Sequence, residues 1–124
     1  MVVEERGKIT GQRVLSGGKV ETSFEAKGKI LGVEETDMAT YLSEVRADGT
    51  IYGEGQGIVM TKEGMLTWKG TGVGWFTERG QSFRGAVYYE STSQKFMRLN
   101  KVAAVFEYEV DQDGNTTGKS WEWK

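Results

Sequence analysis

Two stretches of the chain, YGEGQGIVM at residues 52–60 and KGTGVGWF at residues 69–76, carry glycine at every second position. Side chains alternate between the two faces of a β-strand, so each glycine trio leaves one face of its strand without side chains. The trios are Gly53, Gly55, Gly57 and Gly70, Gly72, Gly74. Glycine inside a strand costs roughly 0.5–1 kcal/mol. Its repetition therefore indicates sharp coiling, a corner, or space kept for another group.

Glycine-containing turns punctuate the rest of the chain, and the segments between them are rich in Val, Thr, Tyr, Phe and Trp. This composition is typical of β-strands. The chain contains no proline, as expected if every strand pairs on both sides. The predicted strands are residues 7–15, 19–32, 37–46, 50–61, 65–77, 81–91, 102–111 and 115–123.

Eight strands joined mostly by short hairpins predict an all-β fold, an antiparallel up-and-down meander that closes into a barrel and so removes its edges. An open sandwich is the alternative. The length of 124 residues predicts a single barrel domain, residues 1–124. Residues 32–37, which include Glu34, Glu35 and Asp37, are expected to form a polar loop.

One segment, residues 93–100, interrupts the β pattern. Ser93 is a candidate N-cap, the apolar Phe96 and Leu99 lie three positions apart, and Asn100 is a candidate terminator. The segment predicts a short helical turn that places Phe96 and Leu99 over one mouth of the barrel. An irregular crossover between strands is the alternative.

The turn chemistry predicts which face looks inward. A two-residue loop at Glu63-Gly64 would set the glycine trios opposite each other, with Gly57 facing Gly70. This register keeps the bulky apolar side chains on the glycine face, which is therefore predicted to face inward. Three-residue loops would shift the parity by one, and the glycines of adjacent strands would no longer match.

Two later turns predict the pairing of further inward-facing residues. A two-residue loop at Arg79-Gly80 would bring Gly74 across from Gly85, which continues the glycine belt into a third strand. A type I′ turn at Asp113-Gly114 would place Phe106 beside Trp121 on the inner face.

The amino-acid composition excludes several classes of catalytic and binding site. The chain has no cysteine and no histidine, which removes disulfides, the commonest metal ligands and every histidine-based nucleophile, so neither a metal nor a cofactor is expected. Sixteen basic and eighteen acidic residues are scattered along the chain, which argues against nucleic-acid binding. An acidic N-terminal segment and the lack of a long apolar run predict a cytoplasmic protein with no membrane partner.

The segment FMRLN at residues 96–100, followed by VAAVFEYE at residues 102–109, resembles the small barrels grouped around allene oxide cyclase and dirigent proteins. Within that group it looks most like uncharacterised prokaryotic members, and the strand order is also similar to calycin-like, lipocalin-type barrels. The resemblance implies an apolar intermediate bound inside the barrel and a tendency to self-associate. Allene oxide cyclases hold a water through a proline that this chain lacks, so that part is not carried over.

The first functional hypothesis is a barrel that binds a small hydrophobic ligand in its lumen. The predicted ligand-binding residues are Trp68, Phe76, Phe83, Phe106, Tyr108 and Trp121, with Gly55 and Gly72 leaving space beside them. The alternative reading of these aromatic residues is that they fill the barrel.

The second hypothesis is a cofactor-independent cyclase or isomerase that uses Glu44 or Tyr41 as its catalytic group. Glu44 faces inward if Asp48-Gly49 is a two-residue loop and outward if the loop is residues 47–49. The third hypothesis is a homo-oligomeric structural module without a ligand, whose interface would use apolar side chains of the outer face. These are Tyr52, Ile58 and Trp75.

Overall fold

Eight antiparallel strands close into a barrel in the computed structural model, which describes residues 1–124. Each strand pairs with its neighbours in sequence, and β1 closes the barrel by pairing with β8 from Val3–Ser120 to Lys8–Asn115. The predicted up-and-down barrel is confirmed, and the open sandwich is excluded. The strands are β1 Val3–Leu15, β2 Lys19–Ile30, β3 Val33–Val45, β4 Ile51–Thr61, β5 Gly64–Thr77, β6 Gly80–Glu90, β7 Ala103–Asp111 and β8 Asn115–Glu122.

The prediction of a polar loop at residues 32–37 is wrong, because β2 and β3 are joined by only two residues. Leu31 and Gly32 have φ angles of 47° and 81°, and two successive positive angles are what a type I′ hairpin requires. Strand β3 therefore begins at Val33, and the alternation of side chains carries Glu35 and Asp37 to the inner face.

The glycine trios face each other, with a register two residues away from the predicted one. The loop between β4 and β5 is Lys62-Glu63, so Gly64 pairs with Thr61, and the matched glycine pairs are Gly53–Gly72 and Gly55–Gly70. Gly64 has a φ of 128° and accepts a 2.8 Å hydrogen bond from the Thr61 hydroxyl at its carbonyl. A shift of two residues preserves the parity, so the inward orientation of the glycine face is confirmed.

The same displacement occurs at the next hairpin. Gly80 pairs with Thr77, so Gly72 rather than Gly74 lies across from Gly85, and Gly74 faces Phe83. The glycine belt thus does extend into β6. We use the name glycine belt for Gly53, Gly55, Gly57, Gly70, Gly72, Gly74 and Gly85.

The hairpin between β7 and β8 differs from the prediction, because its loop has three residues rather than two and the inward and outward positions of β8 are exchanged. Its loop is the three residues 112–114, and the Asp111 carboxylate accepts 2.9 Å hydrogen bonds from the backbone N–H groups of Asp113 and Asn115. The extra loop residue rotates β8 by one position. Phe106 therefore faces Ser120, and Trp121 pairs with Val105 on the outer face.

One end of the barrel is closed by a 3₁₀ turn, Met97–Lys101, which confirms the predicted helical turn. Phe96 and Leu99 are completely buried there, in one apolar cluster with Val2, Ile30 and Leu66. The other end is formed by the four loops that join β1 to β2, β3 to β4, β5 to β6 and β7 to β8. Neither 3₁₀ turn, Ser16–Gly18 nor Met97–Lys101, is long and apolar enough to cross a membrane.

The predicted capping roles of Ser93 and Asn100 are wrong. The Ser93 hydroxyl donates a 2.5 Å hydrogen bond to the Glu63 carbonyl. The Asn100 side chain accepts from the Ser91 N–H and donates to the Ser91 carbonyl, at 2.8 and 3.0 Å. Both side chains therefore tie the closing segment to neighbouring backbone rather than capping the turn.

Aromatic rings occupy the space that the glycine belt leaves. The Trp68 ring lies against Gly55, Gly57 and Gly70, and the Phe106 ring lies against Gly72 and Gly85, where an added Cβ would come within 2.9 Å of it. Real Cβ atoms essentially never approach that closely without a shift of their neighbours. The belt therefore lets large rings lie flat on the backbone of neighbouring strands.

We expect Gly57→Ala to lower the free energy of unfolding by about 1–3 kcal/mol, because the new methyl group would displace the Trp68 indole. Urea denaturation measures the change. Gly53→Ala is the matched control, since its methyl group would lie 3.5 Å from the Leu42 carbonyl, in ordinary contact. Equal stability of the two variants would contradict this account of the belt.

Candidate functional site

A cavity of about 110 Å³ remains in the lumen after the rings are placed. A buried cavity on the order of 150 Å³ holds a benzene ring, so this space is of the size class that holds a single small ring or several waters. Its inward-facing lining comes from all eight strands and combines aromatic rings, glycines and a few polar groups. The lining includes Glu5, Phe24, Asp37, Tyr41, Gly53, Gly55, Trp68, Gly72, Phe83, Val87, Tyr89, Phe106, Tyr108, Gly118 and Ser120.

Four aromatic rings form a connected wall of this cavity: Phe24, Tyr41, Phe83 and Tyr108. The Phe24 and Tyr108 ring centroids lie 5.1 Å apart, and Tyr41 and Tyr108 meet edge to face at 5.5 Å. These distances lie within the range in which aromatic pairs attract each other beyond their burial. The wall is therefore a packed unit rather than a set of independent side chains.

Three carboxyl groups from β1 and β3 are buried in the same lumen. Glu5, Glu35 and Asp37 are 9%, 4% and 4% exposed. Glu5 pairs with Gly28 of β2, and Gly28 in turn pairs with Glu35. Because Gly28 has no side chain, the two glutamates face each other across it, and we call the three residues the carboxyl cluster.

Asp37 is the member with a clear hydrogen-bond donor. The Trp68 indole Nε1–H donates to both of its carboxylate oxygens, at 3.0 and 3.2 Å. Neither oxygen of Glu35 accepts from a backbone, amide or hydroxyl group, but the Glu5 carboxyl is hydrogen-bonded to Glu35 and to Asp37 and acts to lower the pKa of both. All sixteen lysine and arginine side chains are exposed, so no internal cation balances the cluster.

Burial and mutual repulsion make the cluster retain protons. Burial, followed by the charges of Asp37 and Glu35, raises the pKa of Glu5 to about 10. Burial and the Asp37 charge raise the pKa of Glu35 to about 7. Burial also raises the pKa of Asp37, and the Trp68 hydrogen bond opposes that shift. The protons belong to the coupled group rather than to single residues.

Three tyrosine hydroxyls also lie in the lumen. Tyr89 and Ser120 share a 2.8 Å hydrogen bond, and the Tyr108 hydroxyl donates to Tyr41 at 3.4 Å. Burial is the main cause that raises the pKa of each tyrosine. These hydroxyls are therefore neutral donors and acceptors under ordinary conditions.

The structure brings most of the predicted site residues to the cavity. Those that line it are Tyr41, Gly55, Trp68, Gly72, Phe83, Phe106 and Tyr108. Phe76 is 55% exposed at the hairpin end, and Trp121 lies on the outer face. Glu44 pairs with Lys19 and Tyr52 on the outer face, away from the lumen. Their roles in binding or catalysis stay predictions.

Sequence reasoning missed the carboxyl cluster because acidic residues at period two are usually the solvated face of a strand. In β3 the pattern is inverted: Glu35 and Asp37 point inward, while Met38 is 60% exposed. The available signal was the Leu31-Gly32 turn. A hairpin there would have placed Glu35 and Asp37 on the same face as Ala39 and Tyr41.

No protein-family model and no curated protein matches the chain. Solved structures of other proteins do match it in fold. A conserved protein of unknown function from Rhodopseudomonas palustris has a TM-score of 0.80 at 12% identity, over 98% of this chain and 93% of that one. A protein of unknown function from Clostridium acetobutylicum has a TM-score of 0.80 at 11% identity, over 99% and 96%.

A third structure, a β-barrel-like protein from Acinetobacter baumannii, has a TM-score of 0.83 at 9% identity, over 99% of this chain and 93% of that one. Identities this low establish a shared fold alone. Evidence on the function therefore comes only from the residues of this lumen.

The raised pKa values predict that the free energy of unfolding falls by about 4 kcal/mol as the pH rises from 5 to 8, which is roughly 1.4 kcal/mol per pH unit for one retained proton. The folded state holds protons that the unfolded state has already lost above about pH 5, so folding is favoured at low pH. The chain has no histidine or cysteine to titrate in this window. Urea denaturation at several pH values measures the slope.

Glu35→Gln should make that slope shallower, because glutamine does not titrate. Glu34→Gln changes the exposed neighbour on the same strand and should leave the slope unchanged. A wild-type protein that becomes more stable between pH 5 and 8 would contradict the assigned direction.

Proposed function

We propose that this barrel binds a small, largely apolar molecule in the cavity between its aromatic wall and its carboxyl cluster. The observation that carries the proposal is the cavity itself, which remains in a lumen otherwise filled by large rings. Binding cavities commonly combine apolar and aromatic walls with a few placed polar groups, and this lining has that character.

The two ends of the barrel support an entry route. Phe96 and Leu99 seal one end with completely buried side chains. The other end is made of hairpin loops, and Phe76 of β5 is half exposed there. A ligand would therefore enter between the hairpins and pass the ring of Phe83 to reach Trp68.

Filling the cavity tests the proposal. Gly53 lines it, and the nearest atoms to an added Cβ are the Leu42 carbonyl at 3.5 Å and the Phe83 ring at 3.8 Å. We expect wild-type protein to bind benzene or cyclopentanol, and Gly53→Leu to weaken binding by about tenfold or more because leucine occupies the space. Ligand-observed NMR titration measures the affinities.

Tyr52→Leu is the control, because Tyr52 is the next residue on β4 and points outward. It should leave the affinity unchanged. Equal binding by wild-type and Gly53→Leu protein, or no binding of either compound by the wild type, would overturn the proposal.

A proton-transfer reaction of the isomerase or cyclase type is the second candidate, favoured by one observation. Asp37 lines the cavity, and Trp68 holds its carboxylate in a fixed orientation through the indole N–H. A carboxylate placed beside an apolar ligand in this way can remove a proton adjacent to a carbonyl. Tyr41 also lines the cavity and would contribute a neutral hydroxyl.

Exchange of the α-protons of cyclopentanone in deuterated water tests this candidate. We expect the protein to accelerate exchange, followed by NMR, and Asp37→Asn to reduce the acceleration by about tenfold or more. Asparagine retains an oxygen that accepts the Trp68 hydrogen bond, so the fold should be preserved. Exchange at the buffer rate with wild-type protein would argue against proton-transfer chemistry on this ketone, and equal exchange by Asp37→Asn would exclude Asp37 as the base.

A further inference from the structure

We propose that the natural ligand of the cavity is a small neutral carbonyl compound, whose oxygen accepts a hydrogen bond from the hydroxyl pair of Tyr89 and Ser120. The inference deepens the proposed function and rests on it. It specifies the class of ligand: a compact hydrocarbon body against the aromatic wall and one carbonyl oxygen at the hydroxyl pair.

The first argument is that the hydroxyl pair carries one hydrogen more than it uses. Each hydroxyl has a single hydrogen to donate. Only one of the two hydrogens is used in the 2.8 Å bond between Tyr89 and Ser120, whichever side chain donates it. Neither hydroxyl has another hydrogen-bond partner in the protein. The pair therefore presents one free donor in either orientation.

The second argument is the position of the pair. Tyr89 and Ser120 are 7% and 3% exposed, and both line the cavity. Their bond joins β6 to β8 across the intervening strand β7. A buried donor without an acceptor is unfavourable, because it has lost its hydrogen bonds to water. The cavity is where an acceptor can reach this hydrogen.

The third argument is that the other donors around the cavity already have acceptors. The Trp68 indole donates to Asp37. The Tyr108 hydroxyl donates to Tyr41, which is in turn hydrogen-bonded to Thr22. The hydroxyl pair is therefore the place in the lumen where a ligand finds a free donor.

The charges around the cavity favour a neutral acceptor over an anionic one. Glu5 and Asp37 line the same cavity, and all lysine and arginine side chains are exposed. Burial, followed by the charges of Glu5 and Asp37, raises the pKa of Tyr89, so its hydroxyl keeps its hydrogen. An anionic ligand would be repelled by these carboxyl groups, whereas a ketone or aldehyde oxygen accepts a hydrogen bond without carrying a charge.

Titration with cyclopentanone that carries ¹³C at its carbonyl tests the inference, because the ¹³C resonance moves to higher frequency when the oxygen accepts a hydrogen bond. NMR spectra at increasing protein concentration give both the affinity and the resonance of the bound ketone. We expect the bound resonance of the wild type to lie at higher frequency than that of the ketone in hexane, where no donor is present.

The double variant Tyr89→Phe/Ser120→Ala removes both hydroxyls, since either one left alone would still carry a free hydrogen. We expect its bound resonance to move back toward the hexane value and its affinity for cyclopentanone to fall by about fivefold or more. Methylenecyclopentane, which has a methylene group in place of the oxygen, should bind the variant at least as tightly as the wild type, which also shows that the variant is folded. Tyr88→Phe makes the same change at the next residue, which is 56% exposed, and should behave as wild type.

The outcomes separate the two proposals. A bound resonance at the hexane value in the wild type, or an unchanged resonance and affinity in the double variant, would overturn the carbonyl inference. Binding of methylenecyclopentane would then leave the ligand-binding function standing, whereas binding of neither compound by the wild type would overturn both. If the double variant does not fold, the comparison of the wild type with hexane decides alone.

Discussion

The hydrogen bond from the Trp68 indole to the Asp37 carboxylate connects the two unusual halves of the barrel interior. It fixes a large ring of β5 over the inner face of β4 and onto β3, and the ring fits only because Gly55, Gly57 and Gly70 present bare backbone to it. It also gives Asp37 the donor that makes its burial tolerable. Without this bond, the Trp68 ring would lose its anchor on β3, and Asp37 would keep only the Glu5 carboxyl as a donor.

The barrel separates an apolar core from a polar cavity along its axis. At the closed end, Phe96, Leu99, Ile30 and Leu66 form a completely buried apolar cluster. The middle of the lumen contains bare glycine, edge-packed rings and three carboxyls, each of which costs stability in a strand interior. The apolar end and the continuous strand pairing around the barrel offset those costs, so the middle layer can keep its polar groups and its cavity.

Much of this architecture could be predicted from period-two patterns and turn residues, including the closed barrel, the inward glycine belt and the closing turn at Met97–Lys101. The register could not, because glycine after a turn occupies either the last loop position or the first strand position. Gly64 and Gly80 take the second option with φ angles of 128° and 154°, which shifts the pairing by two residues. The local sequence is compatible with both.

The carboxyl cluster could not be predicted from the sequence, for a different physical reason. Acidic residues in a strand pattern are normally assigned to the exposed face. Only the three-dimensional arrangement of the closed barrel places Glu35 and Asp37 on the inner face. Evolutionary selection for stability alone would replace a buried carboxyl without a partner by an apolar side chain of similar size. Glu35, opposite Gly28 and hydrogen-bonded to the Glu5 carboxyl, is therefore retained as one member of a group of buried acids that share protons.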